Sequence, residues 1–174
     1  MAVSSEVDED AIKARFTTNN SNAEQLSLKL AHAKASSVSQ KYPYSFVLGA
    51  DQILECEGSL FDKPKSMEQA RQHLISLRGR RHRLINGLVI VKETETQWSH
   101  TEIATLYMRD FSDAFLDDYL QASGNVLLSS VGGYLLEERG GQLFDRIEGD
   151  YFTVLGLPLL PLLGFLRHIH ILQD

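Results

Sequence analysis

Two hydrophobic rhythms, one of 3.6 residues and one of two, alternate along this chain, and their interleaving restricts it to an α/β architecture. An acidic opening segment carries a weak start signal for a short helix, and residues 17–22 read as a loop. Ser21, with Glu24 three residues on, has the form of a capping box. Leu26, Leu30, Ala33 and Ser37 then share one helical face, and Tyr42-Pro43 ends the helix because a residue before proline is pushed out of the helical region. Phe46 to Ala50 is a wholly apolar run with the pattern of a buried strand; it stops at Asp51-Gln52, resumes at Ile53 and turns at Glu57-Gly58. Ser66 and Gln69 form a second capping box ahead of a stripe of Met67, Ala70, Leu74 and Leu77, which Gly79 closes. His82 to Val91 and Trp98 to Arg109 read as two antiparallel strands joined through a turn over Lys92 to Gln97. Ser112 starts a helix with Phe115, Leu116, Tyr119 and Leu120 facing inward, Leu143 to Ile147 is strand-like, and Pro158 suits the first residue of a C-terminal helix.

A length of 174 residues fits one medium domain, and a hydrophobic fraction of 43% with 23% charged residues excludes wholesale disorder. The net charge of −6 argues against a protein that chiefly binds a nucleic-acid backbone, which needs a broad basic face. It leaves a nucleotide ligand open, because a few lysines in one cleft make a local positive field. Cys56 is the only cysteine, which rules out an intrachain disulfide and a cysteine-rich zinc site; it reads as a small hydrophobe in a strand. The longest apolar run, Val154 to Leu166, is too short to span a membrane and is interrupted by Pro158 and Pro161. A soluble, cytoplasmic protein is expected.

Asp51 stands at the end of the apolar run, where it either faces a ligand crevice at a strand's carboxyl end or merely caps the next turn. Lys63 precedes Pro64, whose ring constrains the lysine's backbone, so it is a candidate fixed cation. Lys34 reads similarly on its helix, although a cation near a helix C-terminus also has a structural reason to be there. Glu6, Asp8, Glu9 and Asp10 are either a solvated acidic face or the source of a carboxylate for Mg²⁺. Arg78, Arg80, Arg81, His82 and Arg83 form a basic run without interleaved aromatics, read as a solvated connection. Phosphate-loop, dinucleotide and zinc-protease signatures are absent.

The order of these pieces is more specific than any one of them. Val7-Asp8-Glu9, Ala33-Lys34-Ala35, Gly49-Ala50-Asp51-Gln52, Asp62-Lys63-Pro64, Gly132-Gly133-Tyr134 and Gly149-Asp150-Tyr151-Phe152-Thr153-Val154-Leu155-Gly156-Leu157-Pro158-Leu159 follow one another along nearly the whole chain. In this the sequence resembles the Maf family, septum-formation-type proteins that act as nucleoside triphosphate pyrophosphatases. The resemblance implies a single two-lobed α/β domain over residues 1–174, with a mixed twisted sheet and a deep central cleft. It implies hydrolysis of a nucleoside triphosphate to the monophosphate and diphosphate with a divalent metal, Mg²⁺ or Mn²⁺. In that reading Asp51 takes the proton of the attacking water, Glu9 is a second acidic group, and Lys34 and Lys63 hold phosphate oxygens.

Two positions bear on the substrate. Where the family's dTTP/UTP-type branch has Thr and Gln, this chain has Gln52 and Glu137, which resemble the 7-methyl-GTP-type branch. A glutamate accepts hydrogen bonds from the N1–H and N2 amino group of guanine, whereas uracil and thymine offer a single edge donor beside carbonyls. The alternative for Glu137 is a surface residue in a glycine-rich loop. Family members also open with a strand and a Ser-x-Ser-x-Arg-Arg type loop, and the expectation here is that this first strand and helix are missing, either because the true start lies upstream of Met1 or because the protein is shortened. That leaves a second reading, a catalytically impaired nucleotide-binding or regulatory protein linked to cell division. A nucleoside triphosphate is the expected partner, with no stable nucleic acid and no membrane; the oligomeric state is not legible in the sequence, and a homodimer is an expectation at the level of the family only.

Overall fold

The computed structural model describes residues 1–17 and 22–173. Its sheet has five strands, β1 (Val47–Cys56), β2 (Ser59–Phe61), β3 (Arg81–Lys92), β4 (Glu95–Met108) and β5 (Phe144–Glu148), in the order β2-β1-β3-β4-β5. The helices are α1 (Glu9–Thr17), α2 (Ala23–Ser39), α3 (Met67–Leu77), α4 (Asp113–Ser123), the single-turn α5 (Tyr151–Val154) and α6 (Leu159–His168). None of the described helices is long and apolar enough to cross a membrane.

The sheet is antiparallel where a mixed one was expected. In β1 and β2, Leu54 faces Phe61 and Cys56 faces Ser59. In β4 and β5, Leu106 faces Ile147, with a bulge between Tyr107 and Met108. Contacts between β1 and β3 run in opposite senses, from Cys56 with Arg81 through Glu55 with Arg83 to Gln52 with Asn86. The cause is local. Glu57 and Gly58 both take positive φ, as do Glu93 and Thr94, so each pair closes a tight hairpin and obliges the strands it joins to run antiparallel. The expected turn over Lys92 to Gln97 is accordingly only two residues long, and β4 starts at Glu95.

The chain divides into two compact units. The first comprises Met1–Gln52, Ile85–Glu102 and Gly156–Asp174. Within it β3 is covered on both faces: Val89 and Val91 pack with Ala31 and Ala35 of α2, while Leu88 and Ile90 pack with Leu162 of α6. Burial on both sides explains why Leu84 to Val91 lacks the alternation of a half-exposed strand. The buried face of α2 is Leu26, Ser27, Leu30, Ala31, Ala35 and Val38, with Ala33 and Ser37 only partly covered, so the stripe is rotated from the expected one. Sheet glycines decide the rotation. A Cβ on Gly49 would lie 2.1 Å from the Ala31 carbonyl oxygen, and one on Gly87 would lie 2.5 Å from the Leu28 nitrogen. The small residues of α2 therefore seat its backbone directly on β1 and β3. The expected cap Ser21 lies outside the described residues; Asn22 accepts the Glu24 N–H and is the cap. Pro158 sits one residue earlier than expected, as the N-cap of α6.

The second unit comprises Ile53–Leu84 and Ile103–Leu155. Its core joins Leu54, Cys56, Leu74, Leu77, Leu84, Leu106, Leu116 and Leu143. The serine caps match the sequence reading: Ser66 accepts the Gln69 N–H and Ser112 accepts the Phe115 N–H. The Gln69 side chain reaches back to the Lys65 N–H, one residue beyond the Ser66 N–H of the box geometry. Cys56 is buried in this core, its thiol donating to the Arg81 carbonyl and pushed up in pKa by burial.

Candidate active site

Asp51 lies in the middle of β1, not at the end of a strand. Residues two apart on a strand share a face, so Asp51 faces α2 as Gly49 does. The close approach at Gly49 brings Lys34 of α2 onto it: the Lys34 ammonium donates to Asp51 Oδ1 at 2.5 Å and to Glu9 Oε1, in the first turn of α1, at 2.9 Å. Asp8 holds that turn by accepting the Ala11 N–H. Three of the expected residues, far apart in sequence, are thus one bonded cluster.

The electrostatics follow from unequal burial. The Asp51 side chain is 10% exposed, and burial pushes its carboxyl above the ordinary range, opposed by the Lys34 ammonium and by the charge of Lys13. Burial works against the charge on Lys34 too, but hydrogen bonds to Asp51 and Glu9 raise its pKa on balance. Lys34 is therefore firmly cationic, and Asp51 is a carboxylate whose affinity for a proton is greater than that of an exposed aspartate. A buried carboxylate with a fixed cation beside it has the make-up of a general base for water. The sequence reading passed over Lys13. Its signal was available, since it follows Glu9 by four residues on one helix.

Gln52, the next residue, projects to the other face of β1. Its amide donates to Asn86 Oδ1 at 3.1 Å, and the Cβ position of Gly156 is 3.8 Å from its nitrogen. Asn86 is fully buried, and its signal is the one amide inside the apolar run of β3. Lys63 and Glu137 belong to the second unit. Lys63 is exposed between β2 and α3 beside the buried Pro64, and Glu137 is exposed in the turns that follow Gly132-Gly133. Three arginines of the basic run pair with carboxylates, Arg78 with Asp113, Arg80 with Glu57 and Arg83 with Glu55, and from Arg81 onward the run lies in β3 with His82 buried, not in a solvated connection.

The chain matches the Maf-like protein family over residues 1–169. It belongs to the Maf family. Over 161 residues it is 49% identical to the nucleoside triphosphate pyrophosphatase of Granulibacter bethesdensis, covering 92% of this chain and 82% of that protein. It is 49% identical over 166 residues to the protein of the same name from Caulobacter vibrioides, covering 95% and 83%. The 7-methyl-GTP pyrophosphatase of Mesorhizobium japonicum is 45% identical over 166 residues, with the same coverage. Within the Maf family resemblance, Asp51, Lys34 and Glu9 are the positions that this structure gathers into one cluster.

Among the described residues no group of three or more His, Cys, Asp or Glu side chains is arranged to hold a metal ion. The donor chemistry still fits Mg²⁺ or Mn²⁺. Glu9 and Asp51 both reach one ammonium, so two hard carboxylates already converge, and Mg²⁺ is commonly held by one or two carboxylates together with substrate phosphates.

Proposed function

We propose that this chain hydrolyses a nucleoside triphosphate to the monophosphate and diphosphate. The observation that carries the reading is the buried Asp51 carboxylate held by Lys34 beside Glu9, in a chain whose relatives bear the name of that activity. Asp51 accepts a proton from water as the water oxygen bonds to the α-phosphorus and the α–β anhydride bond breaks. Negative charge then collects on the departing diphosphate, and Lys34 and Lys63 stabilise it. Glu9 keeps Lys34 placed and charged. Glu9, together with substrate phosphates, would hold the divalent cation, which when bound neutralises phosphate charge.

Glu137 and Gln52 are assigned to nucleotide choice, with 7-methyl-GTP ahead of pyrimidine nucleotides. A glutamate matches the two donors of a guanine edge, and N7-methylation adds a positive charge that a carboxylate favours. Relatives at 45% and 43% identity carry the 7-methyl-GTP name. The reading includes a cytoplasmic location, a free nucleotide as partner in place of nucleic acid or membrane, and a homodimer as the assembly to look for.

The test is diphosphate release with Mg²⁺ or Mn²⁺ from 7-methyl-GTP, GTP, UTP, dTTP and CTP. Release is expected to be fastest with 7-methyl-GTP and to be lost in Asp51→Asn. Release by the variant at the wild-type rate would remove Asp51 from the chemistry. A preference for UTP or dTTP would keep the reaction and overturn the assignment of Gln52 and Glu137.

A further inference from the structure

The second unit contains a polar arrangement that the proposed chemistry does not use. His82 of β3 and Tyr134 are both buried, and their Nε2 and Oη atoms are hydrogen-bonded at 2.7 Å. The Tyr134 ring also meets Phe144 edge-on, with centroids 5.0 Å apart. One residue later the backbone of Leu135 lies toward the hydroxyl of Tyr119, a buried residue of α4 whose phenol burial pushes up in pKa. The Leu135 carbonyl then accepts from Glu138 N at 3.3 Å and from Gly140 N at 3.0 Å. A Cβ on Gly140 would stand 2.2 Å from that same oxygen, so the turn can be this tight only with glycine there.

The entrance to the turn is equally constrained. Gly132 and Gly133 have φ of +77° and +74°. Their Cβ positions lie 2.6 Å from Leu54 Cδ1 and 3.3 Å from Ala70 Cβ. Residues on both sides of Glu137 are thus fixed by strands, helices or the turn itself, while Glu137 is exposed.

Two phenols and an imidazole are a costly way to anchor a connection that apolar side chains could hold, particularly as His82 Nδ1 is buried with no partner. What directional bonds add over apolar packing is one defined position of the backbone. We propose that Tyr134, through its bond to His82, and Tyr119 are positioning residues for nucleotide selection. They hold the turn so that the Glu137 carboxylate meets the hydrogen-bonding edge of a purine base at a fixed place. The inference rests on the assignment of Glu137 to base recognition given above.

Double-mutant kinetics separate the two. Diphosphate release from 7-methyl-GTP and UTP is measured for wild type, Glu137→Gln, Tyr119→Phe, Tyr134→Phe and each tyrosine variant combined with Glu137→Gln. Thermal unfolding first identifies the variants that fold. Loss of the hydroxyl is expected to raise KM for 7-methyl-GTP about fivefold in each tyrosine variant, with kcat changed less than twofold and UTP little affected. In the Glu137→Gln background the tyrosine substitutions should add almost nothing. An unchanged KM in the tyrosine variants, or an effect that simply adds to that of Glu137→Gln, overturns the positioning role. If Glu137→Gln itself leaves the ratio of the two substrates unchanged, it is the base-recognition reading that fails. Tyr119→Phe alone decides the matter if Tyr134→Phe does not fold.

Discussion

Acid should weaken this protein through His82, by an amount that its burial sets. The ring is 1% exposed, and burial lowers its pKa from the ordinary 6.5 to about 4. In the unfolded chain the imidazole takes up a proton as pH falls through 6.5, whereas the folded chain resists until about 4. Between those values the unfolded state binds more protons, so stability declines as pH falls and the decline levels off below 4. From pH 7 to pH 5 the loss from this residue comes to about 2 kcal/mol. Urea unfolding followed by Trp98 fluorescence at both pH values measures it, provided His82→Gln is run alongside. Glutamine keeps a hydrogen-bonding group near Tyr134 and does not titrate. Contributions from Asp51, Glu55 and His73 are common to both proteins and drop out of the comparison. The stability difference between pH 7 and pH 5 should be about 2 kcal/mol smaller in His82→Gln. Equal differences in the two proteins would refute the argument that burial keeps His82 neutral.

Two further outcomes follow from the contacts around α2. In Lys34→Met, Asp51 loses the charge that opposes the effect of burial on its carboxyl, so the carboxylate needed for proton acceptance is lost at higher pH. Diphosphate release should be slower, and its acid limb should move to higher pH; a limb in the wild-type position would contradict the ion pair's role. In Gly87→Ala the new methyl would lie 2.5 Å from α2 backbone atoms, which cannot give way as a flexible side chain would. A loss of about 1–3 kcal/mol or more is expected in thermal or urea unfolding, and an unchanged melting temperature would show that α2 is not seated where described.

Local rules carried much of the architecture. Ser66 and Ser112 capped the helices their positions announced, and Glu57-Gly58 turned the chain as its composition required. Helix and strand periods placed the main elements in the right order because each depends on neighbours within a few residues. The ordered Maf motifs were likewise visible in one dimension, and they singled out Asp51, Lys34 and Glu9 before any distance was known.

Tertiary structure decided the rest, wherever two distant segments compete for the same space. Periodicity put Ala33 and Ser37 on the inner face of α2, but Gly49 and Gly87 admit the helix backbone at Ser27, Ala31 and Ala35 and turn that face inward. Composition suggested that β1 stopped at Asp51, but pairing with β3 carries it through to Cys56. Nor could spacing show that Lys34 bridges Glu9 and Asp51, or that His82 lies against Tyr134. Those contacts form only when α1, α2, β1 and β3 have packed. The sequence by itself determined the elements and the family; folding in three dimensions determined which side chains share a charge, a proton or a hydrogen bond.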